Sequence, residues 1–366
     1  MKVIRYILLA VNVLAAIGLV LTTLAGDVAP TTSLVPSVLA YAFLPMLAVN
    51  VVFFLGWLLA RRWQCLVSGA AVALRFSFVG LFLQVGGRSD VPPIDECPGR
   101  VSLMTYNVHG FSGTALEVSV KDSVARQFVE LVREADADVL CLQEYPLTRG
   151  VRVTDSLQQL GYNHHYGSRG NPGAPKGTVV FSRLPITYVK RIDPQKVLVD
   201  VLKDSVTVRI CCVHMGSFNF NLSDREEVER MGRGLVDSTS HGPLRKAKQT
   251  VLTHAKEWDE QLRPIVGECS VPLVVAGDMN DIPSSWLYAR LADKLHDAYR
   301  DEGSGMSVTF NGGNGRVVPI GRGWFPEFRI DMVFLSDDLQ TLSYRRLRSD
   351  VSDHYPVLVS FQPAKR

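Results

Sequence analysis

A set of polar residues closes or opens the apolar runs of this chain: Asn107 in VSLMTYN, Glu144 in DVLCLQE, His214 in VTVRICCVH, Asp278 and Asn280 in PLVVAGDMN, Asp331 in RIDMVFLS, and Asp353 with His354 in SDHYPVLVSF. All are carboxylates, carboxamides or imidazoles. One Asp or Asn at such a place is a common turn former, but strand ends carried to one sheet edge make a pocket, and this set fits one chemistry. Glu144, Asp353 and the carbonyl oxygen of Asn107 are hard oxygen donors, suited to Mg²⁺ or Mn²⁺ and not to zinc. A cation held there would neutralise a phosphate and stabilise a leaving oxygen. His354 is the candidate base for an attacking water, with Asp331 orienting its other nitrogen. Asp278 and Asn280 would position that water and bond a non-bridging phosphate oxygen, and His214 would stabilise the charge that develops there.

These residues need a scaffold that brings strand ends together. From Arg100 onward, short β-type runs alternate with longer helical ones, including Val120 to Ala135, a charged stretch from about Asp224, and Leu244 to Leu262. Strands mixed with helices over this length indicate a single α/β or α+β domain over residues 100–366. It is preceded by GGRSDVPPIDECPG, whose Gly, Pro and charge make residues 87–99 a linker.

Residues 1–86 are different material. Ile4 to Ala25 and Leu34 to Ala60 carry no charge, and Cys65 to Val85 carries only Arg75. Each run has the roughly 20 apolar residues that a bilayer core requires, so the expectation is an all-α transmembrane anchor of three helices. Lys2, Arg5, Arg61 and Arg62 place the N-terminus and the second turn in the cytoplasm. With three spans the domain lies on the non-cytoplasmic side of the cell's inner membrane. The first run is longer than the apolar part of a cleaved signal peptide, and further apolar runs follow it.

The net charge of +3 comes from this N-terminal part and the start of the linker, where Lys2, Arg5, Arg61, Arg62, Arg75 and Arg88 face only Asp27 and Asp90. The remainder is close to neutral, which argues against a protein that coats nucleic acid non-specifically. Cys141, Cys211 and Cys212 sit in strand-like apolar stretches and read as small core residues. No Cys/His zinc spacing occurs.

TYNVHGF, VLCLQE, VVFSRLPI, VHMGS, AGDMND, RIDMVFLS and SDHYPV, in this order, resemble the endonuclease/exonuclease/phosphatase superfamily, the deoxyribonuclease I-like enzymes. The resemblance covers about Arg100 to Phe361. It implies a four-layer sandwich of two packed mixed β-sheets flanked by helices, hydrolysing phosphate esters with a divalent metal. It also implies Glu144 as main metal ligand, Asn107 and Asp353 at the metal site, Asp278 and Asn280 as the water-orienting and phosphate-binding pair, Asp331 and His354 as the Asp-His dyad, and His214 on the phosphate. One position departs: apurinic endonucleases have an acid two residues after the first asparagine, where this chain has His109.

The resulting expectation is a membrane-tethered, Mg²⁺-dependent phosphodiesterase with a His-activated water and no stable protein partner. Its substrate would be extracytoplasmic nucleic acid, a phospholipid or sphingomyelin head group, or an inositol phosphate. The rival from another class is an inactive module that binds a phosphate-bearing ligand or a partner protein. His109, His164, His165, His241, His254 and His296 read as ordinary surface or core histidines, and Asp281 as a turn residue.

Overall fold

The computed structural model describes residues 2–86, 97, 99–111, 118–147, 151–168, 176–218, 242–310 and 328–364. Most of the linker, the segment 219–241, the glycine-rich stretch from Asn311 with Trp324 and Phe325, and His241 lie outside the described residues. The chain forms two compact units. One comprises Met1–Leu83, Phe218–Trp258 and Asp281–Arg290, the other Gln84–Ser217, Asp259–Asn280 and Leu291–Arg366.

The second unit holds two packed mixed β-sheets, and helices flank the sheets. The first sheet contains β1 (Val101–Asn107), β2 (Val139–Pro146), β3 (His164–Gly167), β4 (Lys176–Ser182), β11 (Leu339–Arg346) and β12 (Val357–Pro363), in the order β11-β12-β1-β2-β4-β3. The second contains β5 (Ile186–Asp193), β6 (Lys196–Lys203), β7 (Val206–His214), β8 (Leu273–Asp278), β9 (His296–Asp297) and β10 (Asp331–Leu335), in the order β5-β6-β7-β8-β10-β9. Each sheet has one parallel pair near its centre, β1 with β2 and β7 with β8. A parallel pair needs a crossover, and helix Val118–Ala135 lies in the first, helix Gly242–Glu257 in the second.

Alternation along β1 shows why the strand is buried from end to end. Val101 and Leu103 point into the core between the sheets with Val139, Cys141, Val199, Ile210, Cys212, Val274 and Val359. Met104 and Tyr106 face the other way, onto Phe128 and Val132 of helix Val118–Ala135. A strand covered on both faces has no room for polar alternation. All six cysteines are free thiols, and Cys141, Cys211 and Cys212 are buried as expected.

At the end of β8, Gly277 has φ +152, and a Cβ added there would stand 1.9 Å from the Val213 carbonyl oxygen on β7. No side chain can relieve a clash with backbone. Gly277→Ala is therefore expected to destabilise the domain by about 3 kcal/mol or more, measured by denaturant unfolding.

In the first unit, helices Lys2–Leu21, Phe43–Leu59 and Cys65–Leu74 pack around Ala16, Leu19, Phe43 and Ala71. Their few polar groups join the helices: Asn50 Nδ2 donates to the Ala15 carbonyl at 2.9 Å, and the Ser68 hydroxyl donates to Asn12. Such inter-helix bonds are how helices in apolar surroundings associate. Among the described residues, only the helical stretch Lys2–Gly26, of 25 residues, is long and apolar enough to cross a membrane; Phe43–Leu59 and Cys65–Leu74 are shorter apolar helices. The third expected span is not one continuous helix. The chain leaves helical geometry at Arg75 (φ −112, ψ 18), the one charged residue of that run, and the 10-residue helix before it rises about 15 Å against a bilayer core of about 30 Å.

Candidate active site

Strand register gathers the polar residues in rows. In the second sheet His214 pairs with Asp278 across the parallel β7–β8 ladder, and Asp278 pairs with Asp331 across the antiparallel β8–β10 ladder. In the first sheet Asn107 stands opposite Gln143. The register of β2 against β4 then shifts between Leu142 and Tyr145, a bulge that contains Glu144 at φ +52. A bulge re-aims a side chain off the regular pleat. A non-glycine residue in this backbone region costs about 1–3 kcal/mol and is kept where its surroundings fix it. Here Lys176, the first residue of β4, fixes Glu144 through an Nζ–Oε2 contact of 2.7 Å.

At the floor of the site, His354 Nδ1 and Asp331 Oδ2 are 2.8 Å apart, and both residues are buried. The ring rests on Phe310, and the Ser352 hydroxyl accepts from the His354 backbone N–H at 3.2 Å. His354 Nε2 stands 3.8 Å from Asp278 Oδ2, too far for a hydrogen bond, so both groups can address a water. Asp278 Oδ2 accepts from Asn107 Nδ2 at 2.9 Å, and its Oδ1 accepts from the Asn280 backbone N–H at 2.9 Å. His214 Nε2 lies 3.7 Å from Asp278 and 3.9 Å from Glu144. Burial works against charge on His354, but the carboxylates of Asp331, Asp278 and Asp353 outweigh it and raise the imidazole to about 10.

Toward the mouth, Glu144 and Asp353 are partly exposed, and His109 Nδ1 lies 3.9 Å from the first and 3.5 Å from the second. Burial alone would raise the Glu144 carboxyl, but His214, Lys176 and His109 outweigh it and hold the group down at about 2. Two ionisable acids that share the neighbourhood of one imidazole, with an ammonium drawn onto one of them, form a place that calls for positive charge. This donor set suits a hard divalent cation. Deeper in, Asp278, Asp331 and His354 also bring ligand atoms within 4.8 Å of one another, but there the His354–Asp331 hydrogen bond already occupies Nδ1.

The residues singled out in the sequence thus meet in one place. The Asn107 carbonyl oxygen accepts from the His109 backbone N–H at 3.0 Å with one of its two lone pairs, and its amide nitrogen faces Asp278 and Glu144. Asn107 therefore links the two acids, and Glu144 and Asp353 are the outward carboxylates. The Asn280 side chain donates one of its two amide hydrogens to the Met215 carbonyl at 2.9 Å. Three further residues belong to the site. His109 reads in the sequence as an ordinary histidine, although it follows Asn107 by two residues. Lys176 opens a strand whose partner carries Glu144. The Ser352 hydroxyl donates to the Asn107 backbone carbonyl at 2.7 Å, joining the start of the SDH turn to the end of β1.

A model of the endonuclease/exonuclease/phosphatase family matches residues 104–354, from β1 to His354. The chain belongs to this family. A second model, described as a domain of unknown function (DUF8431), matches residues 5–82. No curated protein matches the chain significantly. Solved structures similar to this endonuclease/exonuclease/phosphatase family member include an endonuclease/exonuclease/phosphatase from Beutenbergia cavernae DSM 12333, at 20% identity over 73% of this chain and 72% of that one, with a TM-score of 0.49. The human Nocturnin catalytic domain with bound sulfate anion is similar at 17% identity, covering 73% and 96%, with a TM-score of 0.48. Truncated Caenorhabditis elegans TDP2 is similar at 19% identity, covering 72% and 97%, with a TM-score of 0.47. Members of the endonuclease/exonuclease/phosphatase family are typically hydrolases of phosphate esters.

Proposed function

We propose that this protein is a membrane-tethered, divalent-cation-dependent phosphodiesterase. The observation that carries the reading is the buried His354–Asp331 pair at 2.8 Å, with Nε2 turned toward Asp278 on the floor of a site whose mouth holds Glu144 and Asp353. Asp331 holds the imidazole by Nδ1, so that proton exchange with water occurs at Nε2. Asp278, fixed by Asn107 and by the turn to Asn280, orients the same water for attack on phosphorus. His214 and Asn280 are the residues assigned to the phosphate oxygens. Glu144 and Asp353 are the residues that would hold Mg²⁺ or Mn²⁺. Bound there, the cation would supply positive charge to the phosphate and leaving oxygens and offset the carboxylate charge that keeps His354 protonated.

The tether is the stretch Lys2–Gly26, whose Val3, Ile4, Tyr6, Ile7, Leu14 and Ile17 side chains stand exposed and would be covered by lipid. Contacts inside the first unit support a side of the membrane without appeal to a third span. Arg290 donates to the Gly26 carbonyl at 3.0 Å, and Ser284 to the Ala40 carbonyl at 3.1 Å. With Lys2 and Arg5 in the cytoplasm, Gly26 emerges on the other face, and the segment that follows the catalytic turn is there with it. This supports a non-cytoplasmic domain.

The test is hydrolysis by the full-length protein in detergent or nanodiscs, with Mg²⁺, Mn²⁺ or EDTA, on plasmid DNA, RNA, sphingomyelin, glycerophospholipids and inositol phosphates. The expected result is turnover of a phosphodiester that EDTA abolishes. Metal binding without turnover of any diester would overturn the reading in favour of a binding module.

A further inference from the structure

The catalytic turn Asp278–Asn280 is anchored on its upstream side by the β8 ladders. Asn280 itself has φ +48, the left-handed region that asparagine adopts more readily than most residues, so the turn's exit direction depends on what holds the next residue. The next residue, Asp281, expected from the sequence to be a simple turn residue, is buried, and so is every residue from it to Tyr288. Its carboxylate is bonded in three directions. Oδ1 accepts from the Tyr41 hydroxyl at 2.8 Å and from the Ile282 backbone N–H at 2.9 Å, and Oδ2 meets His254 Nδ1 at 2.9 Å. Phe218 packs edge-on against both the Tyr41 and the His254 rings.

Tyr41 stands between the apolar helices of residues 35–40 and 43–59, and His254 belongs to helix Gly242–Glu257. A buried carboxylate is costly unless hydrogen-bonded, so Asp281 has one well-satisfied position. Moving it would strand an acid among apolar groups. The Ser284 and Arg290 bonds to the Ala40 and Gly26 carbonyls hold the segment beyond it in the same way.

We propose that Tyr41, Asp281 and His254 form a buried clamp that fixes the downstream end of the catalytic turn. The clamp makes Tyr41, Asp281 and His254 positioning residues, without contact with substrate. The effect on catalysis rests on the phosphodiesterase reading, whereas the effect on the turn does not.

The experiment compares full-length wild type with Tyr41→Phe, His254→Ala and His254→Asn in nanodiscs, by kinetics and by hydrogen exchange. Asparagine can offer an amide N–H near the place of Nδ1, so His254→Asn is the conservative variant. Tyr41→Phe and His254→Ala are expected to lower kcat about 10-fold with KM within about twofold, because each removes one hydrogen bond to a buried charge. Both should speed exchange of the amides from Met279 to Ser285 about 10-fold while the inner strands are unchanged, and His254→Asn should restore most of both effects. Unchanged exchange in that segment overturns the clamp. Faster exchange with unchanged kcat also overturns it, since the network would then serve stability alone. If wild type turns over no phosphodiester, the proposed function falls, and hydrogen exchange alone decides whether the turn is clamped.

Discussion

Replacing His354 with alanine is expected to lower kcat about a thousandfold, or about 4 kcal/mol of transition-state stabilisation, within the range that a positioned general base contributes. The other groups near the same water already have assigned partners. Asp278 is already engaged by Asn107 and the Asn280 N–H, and the mouth carboxylates surround the place assigned to a cation. Substrate binding should change little, because the group acts on water. Removing the ring also leaves Asp331 as a buried acid without its partner, which costs stability, so the melting temperature must be measured alongside kcat. Asp331→Asn separates the two roles. It keeps the shape of the pair but no longer holds the imidazole as a hydrogen-bonding carboxylate does, and kcat is expected to fall in the same range. An alanine variant that is folded and retains more than about a tenth of wild-type kcat would remove His354 from the mechanism.

Glu144→Gln is expected to raise the Mg²⁺ or Mn²⁺ concentration needed for half-maximal activity by at least about 10- to 100-fold, the loss that even a residue supporting a ligand produces. A direct readout is metal titration by calorimetry, which does not depend on turnover. The substitution also has a signature without metal. Because the folded Glu144 carboxyl is held down at about 2, its ionised form stabilises the fold above the unfolded value of about 4.3, and this contribution is lost as pH falls through the folded value. In EDTA, Glu144→Gln should therefore be less stable than wild type at pH 7, with the gap closing as pH drops from about 4.5 toward 2. A gap that persists at pH 2 would mean that the loss comes from packing.

What the sequence reveals of this fold follows burial. The apolar runs that carry the candidate site residues are β1, β2, β7, β8, β10 and β12, all inner members of the sheets. The strands β3, β5, β9 and β11, which carry no such run, are the outer strand at every sheet edge. ITYVKRID of β5 is largely exposed, and HHYG of β3 lies in a turn-rich stretch. Edge strands carry charge and irregularity that blur the pattern. The same physics divides the site. Residues that end a long inner strand announce themselves, as Asn107, His214 and Asp278 do. Lys176 and Ser352 act through a strand partner and a loop contact that only register supplies. Asp281 reads as a turn residue in the sequence because its partners, Tyr41 and His254, are distant along the chain. Arg75 shows the opposite case: one charge in an apolar run was visible, and it marks the place where the helix breaks.

Gly277 links this register to fidelity of assembly. Only a residue without a Cβ can sit against the Val213 carbonyl, and in the native pairing that residue is Gly277. A slip of β8 by one position would press Ala276 or Asp278 onto the same oxygen, and would also move Asp278 away from both His214 and Asp331. A mispaired chain is thus penalised at the glycine and loses the row of candidate site residues at the acid next to it, so correct register and assembly of that row are checked at one place.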